Sequence, residues 1–194
     1  MPHPLEKFLL ACKRHDVVPT RFALLAGVAE QTVSLFEKNS ASLRLCVKNL
    51  NSPAVTDRRY ESRRKFHCST SRFGIGQVAG SNGTPLGLHR IVEKIGGGWP
   101  VGTVFKNRKP IGFTWKGLPF AKITTRILWL EGLEPGFNRG GNADSHARCI
   151  YIHGTGDETT IGRPASSGCI HLAANDLIPL FDKLPGGTLV WIER

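Results

Sequence analysis

The sequence contains no long apolar run, and this limits how the chain can relate to a membrane. No stretch approaches the roughly 18 apolar residues that a membrane-spanning helix needs, so we expect no span. The N-terminus also lacks the features of a signal peptide. Glu6, Lys7 and Lys13 interrupt the segment where an apolar core would lie, and no small-residue cleavage site follows. No export signal is therefore visible in this sequence.

Regular cysteine spacing is missing as well. The five cysteines include no Cys-x-x-Cys motif and cannot all pair, so we predict no disulfide framework. The cysteine left over could be a reactive thiol. Cys46 and Cys149 lie in apolar runs and are predicted to be small buried hydrophobic residues.

Phosphate-binding motifs are absent too. The glycine-rich segment 71–87 contains Gly74-x-Gly76, but turn residues follow it where a nucleotide site would need a helix start. No Gly-Lys-Ser/Thr is present to hold a triphosphate. We expect no nucleotide and no other cofactor.

The charge is strongly one-sided. Lysine and arginine outnumber aspartate and glutamate 26 to 15, which gives a formal net charge of +11. Such an excess suggests an anionic partner such as nucleic acid, acidic lipid or an anionic wall polymer, and charge alone does not choose among them. The densest basic stretch, residues 58–65, carries no RNA-recognition signature, so we expect no nucleic-acid partner.

Hydrophobic periodicity predicts a mainly β domain with one or two helices and a short N-terminal helix. Residues 4–16 have the apolar spacing of an amphipathic helix. A second helix is predicted to start with Asn175 as its N-cap, to hold Pro179 in its first turn and to end at residues 185–187. Alternating or β-branched runs predict strands at residues 22–28, 31–36, 43–47, 65–70, 87–95, 123–130, 148–153 and 188–192.

One histidine and one cysteine near the C-terminus form a candidate catalytic pair. His153 precedes Gly154 at the end of an apolar run, and Cys169 follows Gly168. A cysteine at its ordinary pKa is only partly thiolate at neutral pH, so a catalytic one needs a neighbour that takes its proton. We predict that His153 is this neighbour.

Several ordered motifs around this pair resemble the L,D-transpeptidase catalytic domain of the YkuD type. They are His-Gly-Thr at 153–155, Ile-Gly-Arg-Pro-Ala-Ser at 161–166, Gly-Cys-Ile at 168–170, and a closing Gly-Thr-x-Val-x-Ile strand at 187–192. Upstream, Gly-Thr-Pro-Leu-Gly at 83–87 is similar to the family's Thr-Pro-x-Gly turn. The resemblance implies a β-sandwich catalytic domain over residues 21–194, preceded by a helical extension over residues 1–20.

The resemblance also implies roles for individual residues. Cys169 would be the nucleophile that attacks a peptidoglycan stem peptide, and His153 the base. The carbonyl of Gly154 would orient the imidazole. Backbone N–H groups around Ser167, Gly168 and Cys169 would bind the oxyanion, where one lost donor typically costs about 3 kcal/mol.

Two positions depart from the family pattern. Ser167 stands where the family usually has a histidine, which predicts lower activity. His171 replaces a common arginine or asparagine and is mostly neutral at pH 7, which weakens any role in holding a substrate carboxylate. We assign His171 and Ser166 to substrate binding, with His171 also a candidate second proton acceptor. Arg139 is assigned to substrate binding because its loop, 132–141, is of the kind that often borders a cleft.

Three other functions stay open at this point. The thioester could pass to water, giving an L,D-carboxypeptidase, or the domain could bind peptidoglycan with little turnover. A zinc site is the third, because Cys149, His153, Cys169 and His171 could complete a Cys₂His₂ set, although the spacing matches no common finger. We favour the enzyme, with no metal, as a monomer. The family implies a cell-envelope or periplasmic location.

Overall fold

A computed structural model describes residues 3–39 and 59–194 of the chain. The helix α1 spans Pro4–Arg14, with proline in the first turn, where its missing N–H costs no hydrogen bond. Its N-terminus is capped by two reciprocal hydrogen bonds: the Leu5 N–H donates to the His3 ring, and the His3 N–H donates to the Glu6 carboxylate. The predicted N-terminal helix is confirmed. Its buried face packs against the sheet through Leu5, Phe8, Ala11 and Cys12.

Within residues 3–39 and 59–194, ten strands form a single sheet that closes on itself. Around the ring the order is β4-β10-β1-β2-β3-β9-β8-β7, and β7 pairs with β4. Strands β5 and β6 form a hairpin attached to β7. The strands are β1 (Phe22–Gly27), β2 (Thr32–Lys38), β3 (Tyr60–Ser69), β4 (Gly87–Ile95), β5 (Thr103–Lys106), β6 (Lys109–Phe113), β7 (Thr124–Gly132), β8 (Tyr151–Gly154), β9 (Ile170–Leu172) and β10 (Leu189–Glu193).

The main core lies between the two halves of this ring. Leu24 and Leu35 from one half pack in the same cluster as Leu128 and Ile152 from the other, as inward-facing residues of a sandwich do. The second helix, α2 (Ala174–Lys183), adds the apolar side chains of its buried face to this cluster. The mainly β fold class is confirmed, and the described residues contain the N-terminal helix α1 and one further α-helix, α2. Among the residues that the structure describes, no helix is long and apolar enough to span a membrane.

The start of α2 differs from the sequence prediction. Its N-cap is Ala173, and Asn175 lies inside the first turn. The carboxylate of Glu158 accepts the N–H of Ala174 at 2.7 Å, so a distant side chain serves the helix end that Asn175 was expected to cap. Pro179 lies in the helix interior, beyond the predicted first turn. The strand predicted at residues 43–47 lies outside the described residues.

Candidate active site

Two neighbouring parallel strands position the predicted catalytic side chains. The register pairs Ile152 of β8 with Ile170 of β9, and His153 with His171. Side chains alternate between the two faces of a strand, and both isoleucines point into the main core. His153 and His171 therefore share the opposite face, and Cys169 lies on that face too. All three line one cavity of about 360 Å³.

His153 is buried and held in one tautomer. Its Nδ1 lies 2.8 Å from the carbonyl oxygen of Gly154. A carbonyl can only accept, so Nδ1 carries the proton and Nε2 keeps its lone pair. The pKa of His153 is lowered to about 3, mainly by burial and in addition by the nearby His171, while the bond to Gly154 partly opposes both effects. At neutral pH the ring is an uncharged proton acceptor.

The thiol of Cys169 is protonated at rest. Its Sγ donates to the carbonyl oxygen of Cys149 at 3.4 Å. Burial raises the pKa of Cys169 to about 11, while the backbone N–H of Tyr151 and the guanidinium of Arg148 act in the opposite direction. Forming a thiolate here needs a base and donors that receive negative charge.

His171 contributes a second uncharged imidazole. Burial lowers its pKa to about 4. Its Nδ1 is buried and has no hydrogen-bond partner among the described residues. A histidine at this position adds no permanent positive charge to the cavity, unlike the arginine that the family pattern suggested.

The turn before Cys169 is held by Ser166. This buried hydroxyl donates to the carbonyl of Cys169 at 2.6 Å and lies 3.2 Å from the N–H of Gly168, which donates to it. The N–H of Gly168 is thus already engaged, although we predicted it as an oxyanion donor. Ser167 is exposed at the cavity wall.

Gly168 is required for a backbone reason. Its φ of +119° lies in a region that disfavours side chains, and an added Cβ would lie 3.2 Å from the carbonyl oxygen of Gly83. The glycine therefore permits close contact with the 71–87 loop.

Arg148 fixes that same loop, a role that no motif in the sequence predicted. Its guanidinium donates to the carbonyl oxygens of Gly76, Gln77 and Gly83 at 3.0, 2.7 and 2.8 Å. The contacted carbonyl of Gly83 is the one that faces Gly168. In the sequence, the signal that could have pointed to Arg148 is its position at the edge of an apolar run.

The cavity also contains residues that no motif indicated. Arg72 and Lys122 place two cations on its wall, and Phe120 lies at its rim, exposed by 81%. Asp157 is the acid on the wall, and its carboxylate already accepts from the N–H and hydroxyl of Thr159. The cavity therefore suits an anionic ligand with apolar parts.

Arg139 is the predicted site residue that lies elsewhere. It is exposed, and it is not among the described residues that line the cavity. Its loop is held by buried Asn138, whose amide donates to the carbonyl oxygens of Leu86 and Leu88. The loop thus supports the start of β4.

The four residues of the zinc hypothesis do not form a metal site. No group of three or more His, Cys, Asp or Glu within residues 3–39 and 59–194 is arranged to hold a metal ion. The Cys149 thiol instead lies 3.9 Å from the guanidinium of Arg108.

Comparisons with known proteins identify the family and the fold. The profile of the YkuD family, described as the L,D-transpeptidase catalytic domain, matches residues 51–192. No curated protein matches the sequence. The structure of Bd1075 from Bdellovibrio bacteriovorus aligns with a TM-score of 0.53 at 13% identity, covering 90% of this chain and 48% of that chain. The L,D-transpeptidase LdtMt1, solved in complex with imipenem, aligns with a TM-score of 0.50 at 13% identity, covering 89% and 59%.

At these identities the structural likeness shows the fold, and the chain spans about half of Bd1075 and three fifths of LdtMt1. The family profile covers most of the chain and includes both β8 and β9. The chain therefore belongs to the YkuD family of L,D-transpeptidase catalytic domains.

Proposed function

We propose that this protein is a cysteine-dependent L,D-transpeptidase that acts on peptidoglycan stem peptides in the cell envelope. One observation carries the proposal: Cys169 and a neutral, tautomer-fixed His153 lie on one face of a parallel strand pair and line the same cavity. A protonated thiol beside a neutral imidazole is the starting state for general-base catalysis.

The first step forms a thioester. Nε2 of His153 takes the Sγ proton as the sulfur of Cys169 attacks a carbonyl carbon. This carbon belongs to the bond between the L-centre of the diamino acid at stem position three and the terminal D-alanine. The tetrahedral intermediate then expels D-alanine, whose amine takes the proton back from His153. The Cys169 thiol and the His153 imidazole form a dyad in which the Gly154 carbonyl orients the base.

Backbone N–H groups of Ser167 and Cys169 are the proposed oxyanion donors. Gly168 is the weaker candidate, because its N–H already donates to Ser166. The resting thiol has a pKa near 11 and the base a pKa near 3, so proton transfer before attack is unfavourable. Transfer is therefore coupled to attack, where the oxyanion donors stabilise the developing charge.

The second step transfers the acyl group. An acceptor amine attacks the thioester carbon, loses a proton to His153 and releases the Cys169 thiol, which gives a 3→3 cross-link. Water in place of the amine gives L,D-carboxypeptidase activity. Arg72 and Lys122 on the cavity wall suit the carboxylates that stem peptides carry.

Two measurements test the proposal together. Incubation with a disaccharide tetrapeptide, read by mass spectrometry, is expected to release D-alanine and form cross-linked dimers; hydrolysis alone would select the carboxypeptidase. Imipenem, the ligand of the LdtMt1 complex, is expected to add covalently to the native protein.

Cys169→Ala should abolish both reactions, and Cys149→Ala is the matched control because it removes the neighbouring half-exposed thiol. Unchanged adduct formation in Cys169→Ala, with the fold intact, would refute the assignment.

A further inference from the structure

One part of the chain combines exposed apolar side chains with charge of a single sign. Residues 95–130 contain six lysines and arginines and no aspartate or glutamate. Twelve large hydrophobic residues are exposed in the described part of the chain, and half of them fall within this segment. These six, here called the hairpin surface, are Trp99, Val101, Ile111, Trp115, Leu118 and Phe120.

The hairpin β5–β6 projects from the sheet. It joins β7 through the single pair Val104 and Thr124, and β6 forms the free edge of the sheet. Residues Asn107 and Arg108 connect its strands in a two-residue turn with φ values of 50° and 66°. Such a turn is compact and well defined. Strand β6 is exposed or half-buried along its whole length.

The apolar residues lie close to one another. The ring of Trp115 stacks on Phe113 with centroids 4.8 Å apart, and it also covers Gly102 beside Val101. Leu118 lies over Gly112, next to Ile111. Phe120 is the most exposed of the six at 81% and extends the surface to the rim of the cavity.

Four lysines accompany this surface without acidic partners. Lys106 and Lys109 face each other directly across the hairpin turn, a like-charge pairing that is unfavourable by itself. Lys116 and Lys122 follow in the next loop. None of these four ammonium groups has a carboxylate within 4 Å among residues 3–39 and 59–194.

We propose that the hairpin surface docks onto an anionic lipid surface. Tryptophan, phenylalanine and aliphatic side chains enter the headgroup region, while lysines keep their ammonium groups at the phosphates. Anionic headgroups relieve the repulsion between Lys106 and Lys109. A glycan strand fits less well, because sugar rings stack on aromatic faces but gain little from exposed Val101 and Ile111. This docking would hold the mouth of the cavity next to the membrane.

Vesicle binding tests the proposal. The full chain is mixed with vesicles of equal parts phosphatidylglycerol and phosphatidylcholine, or of phosphatidylcholine alone, and binding is followed by co-sedimentation and tryptophan fluorescence. We expect binding to the anionic vesicles, with a blue shift, and weakening as salt rises. Ile111→Ser combined with Trp115→Ser should reduce binding about tenfold or more. Lys106→Gln combined with Lys109→Gln should also reduce it about tenfold.

Matched controls use exposed residues elsewhere. Val18→Ser removes an apolar side chain exposed by 82%, and Lys13→Gln with Arg14→Gln removes two charges of α1; both should bind like the native chain. Circular dichroism checks folding. Trp115 packs on Gly102, so its replacement could unfold the double serine variant. In that case Ile111→Ser alone and the double lysine variant test the proposal.

Several outcomes would overturn the proposal. These are no vesicle binding, equal binding to neutral vesicles, binding unchanged by both hairpin variants, or retention on peptide-free glycan strands without vesicle binding. Imipenem acylation of Cys169 should be unchanged in every variant. A failure of membrane docking would therefore leave the proposed function intact, and a failure of acylation would leave the docking proposal intact.

Discussion

His153 and His171 occupy directly paired positions on the parallel strands β8 and β9, with ring centroids 4.6 Å apart. Two imidazoles this close, one buried and the other half-buried, cannot readily carry charge together. Burial is the main reason that the pKa of His153 is lowered to about 3 and the pKa of His171 to about 4, and the nearby His171 contributes to the lowering at His153. The cavity next to Cys169 therefore holds two uncharged nitrogen bases throughout the neutral pH range.

Replacing the proposed base should change how acylation depends on pH. With His153 neutral above a pKa of about 3, imipenem acylation of the native protein should be nearly flat from pH 5 to 9. His153→Ala should lose about 10²-fold at neutral pH and recover as pH rises toward the thiol pKa of about 11. Stopped-flow or intact-mass kinetics measure both profiles. A flat profile in His153→Ala would exclude proton removal as its role.

Removing the second imidazole should raise the pKa of His153. Burial is the main cause of its low value, and it persists in His171→Asn, so the pKa should rise but stay below the ordinary 6.5. Titration of the ring nitrogens by NMR measures the shift. His3→Asn, an exposed substitution outside the cavity, is the control and should leave His153 unchanged. A fall in the pKa of His153 would contradict the assigned interaction.

A comparison of Gly168 with Gly162 separates the effect of backbone strain from the effect of contact with Gly83. Gly168 and Gly162 have φ values of +119° and +94°, but an added Cβ meets Gly83 only at Gly168, with open space around Gly162. Gly162→Ala should cost roughly 1 kcal/mol of unfolding free energy through strain. Gly168→Ala should cost more and slow acylation at least about tenfold, because the turn carrying Cys169 must shift. Urea denaturation and imipenem kinetics make the comparison; equal effects of the two changes would argue against the Gly83 contact.

The guanidinium of Arg148 should affect both the free energy of unfolding and the pKa of the Cys169 thiol. Arg148→Gln removes charge-assisted bonds to three carbonyls, and we expect a loss of about 2–4 kcal/mol. Burial remains the main influence on Cys169, but loss of this cation should raise the thiol pKa further. Iodoacetamide labelling should therefore move to higher pH. The exposed Arg163→Gln serves as the control, and identical labelling profiles for both variants would contradict the electrostatic effect.

Local patterns in the sequence were sufficient for much of the fold. The amphipathic spacing of residues 4–16 predicted α1, because one face of a helix must be apolar to pack. Apolar, alternating or β-branched runs predicted strands where β1, β2, β4 and β7 lie. The hairpin β5–β6 was not predicted, because β5 has only four residues and because Pro110 and Gly112 interrupt the alternation of β6. Strand β9 has only three residues, too few for a period to appear.

The candidate site, like the fold, was predicted only in part from the sequence. The motifs around His153 and Cys169 predicted a catalytic pair, and the Gly154 carbonyl was expected beside the imidazole, where it lies. Arg72 comes from the loop after β3, and Phe120 and Lys122 come from the loop before β7, and no spacing in the chain connects them to the cavity.

The sequence alone determined the types of local structure and the excess of positive charge, and its motifs suggested the proposed nucleophile and base, since each of these depends on residues that are near neighbours. Tertiary structure decided that two imidazoles face each other, that Arg148 holds the loop against Gly168, and that the thiol is protonated. These properties depend on burial and on contacts between residues far apart along the chain, because desolvation and electrostatic interaction act through space.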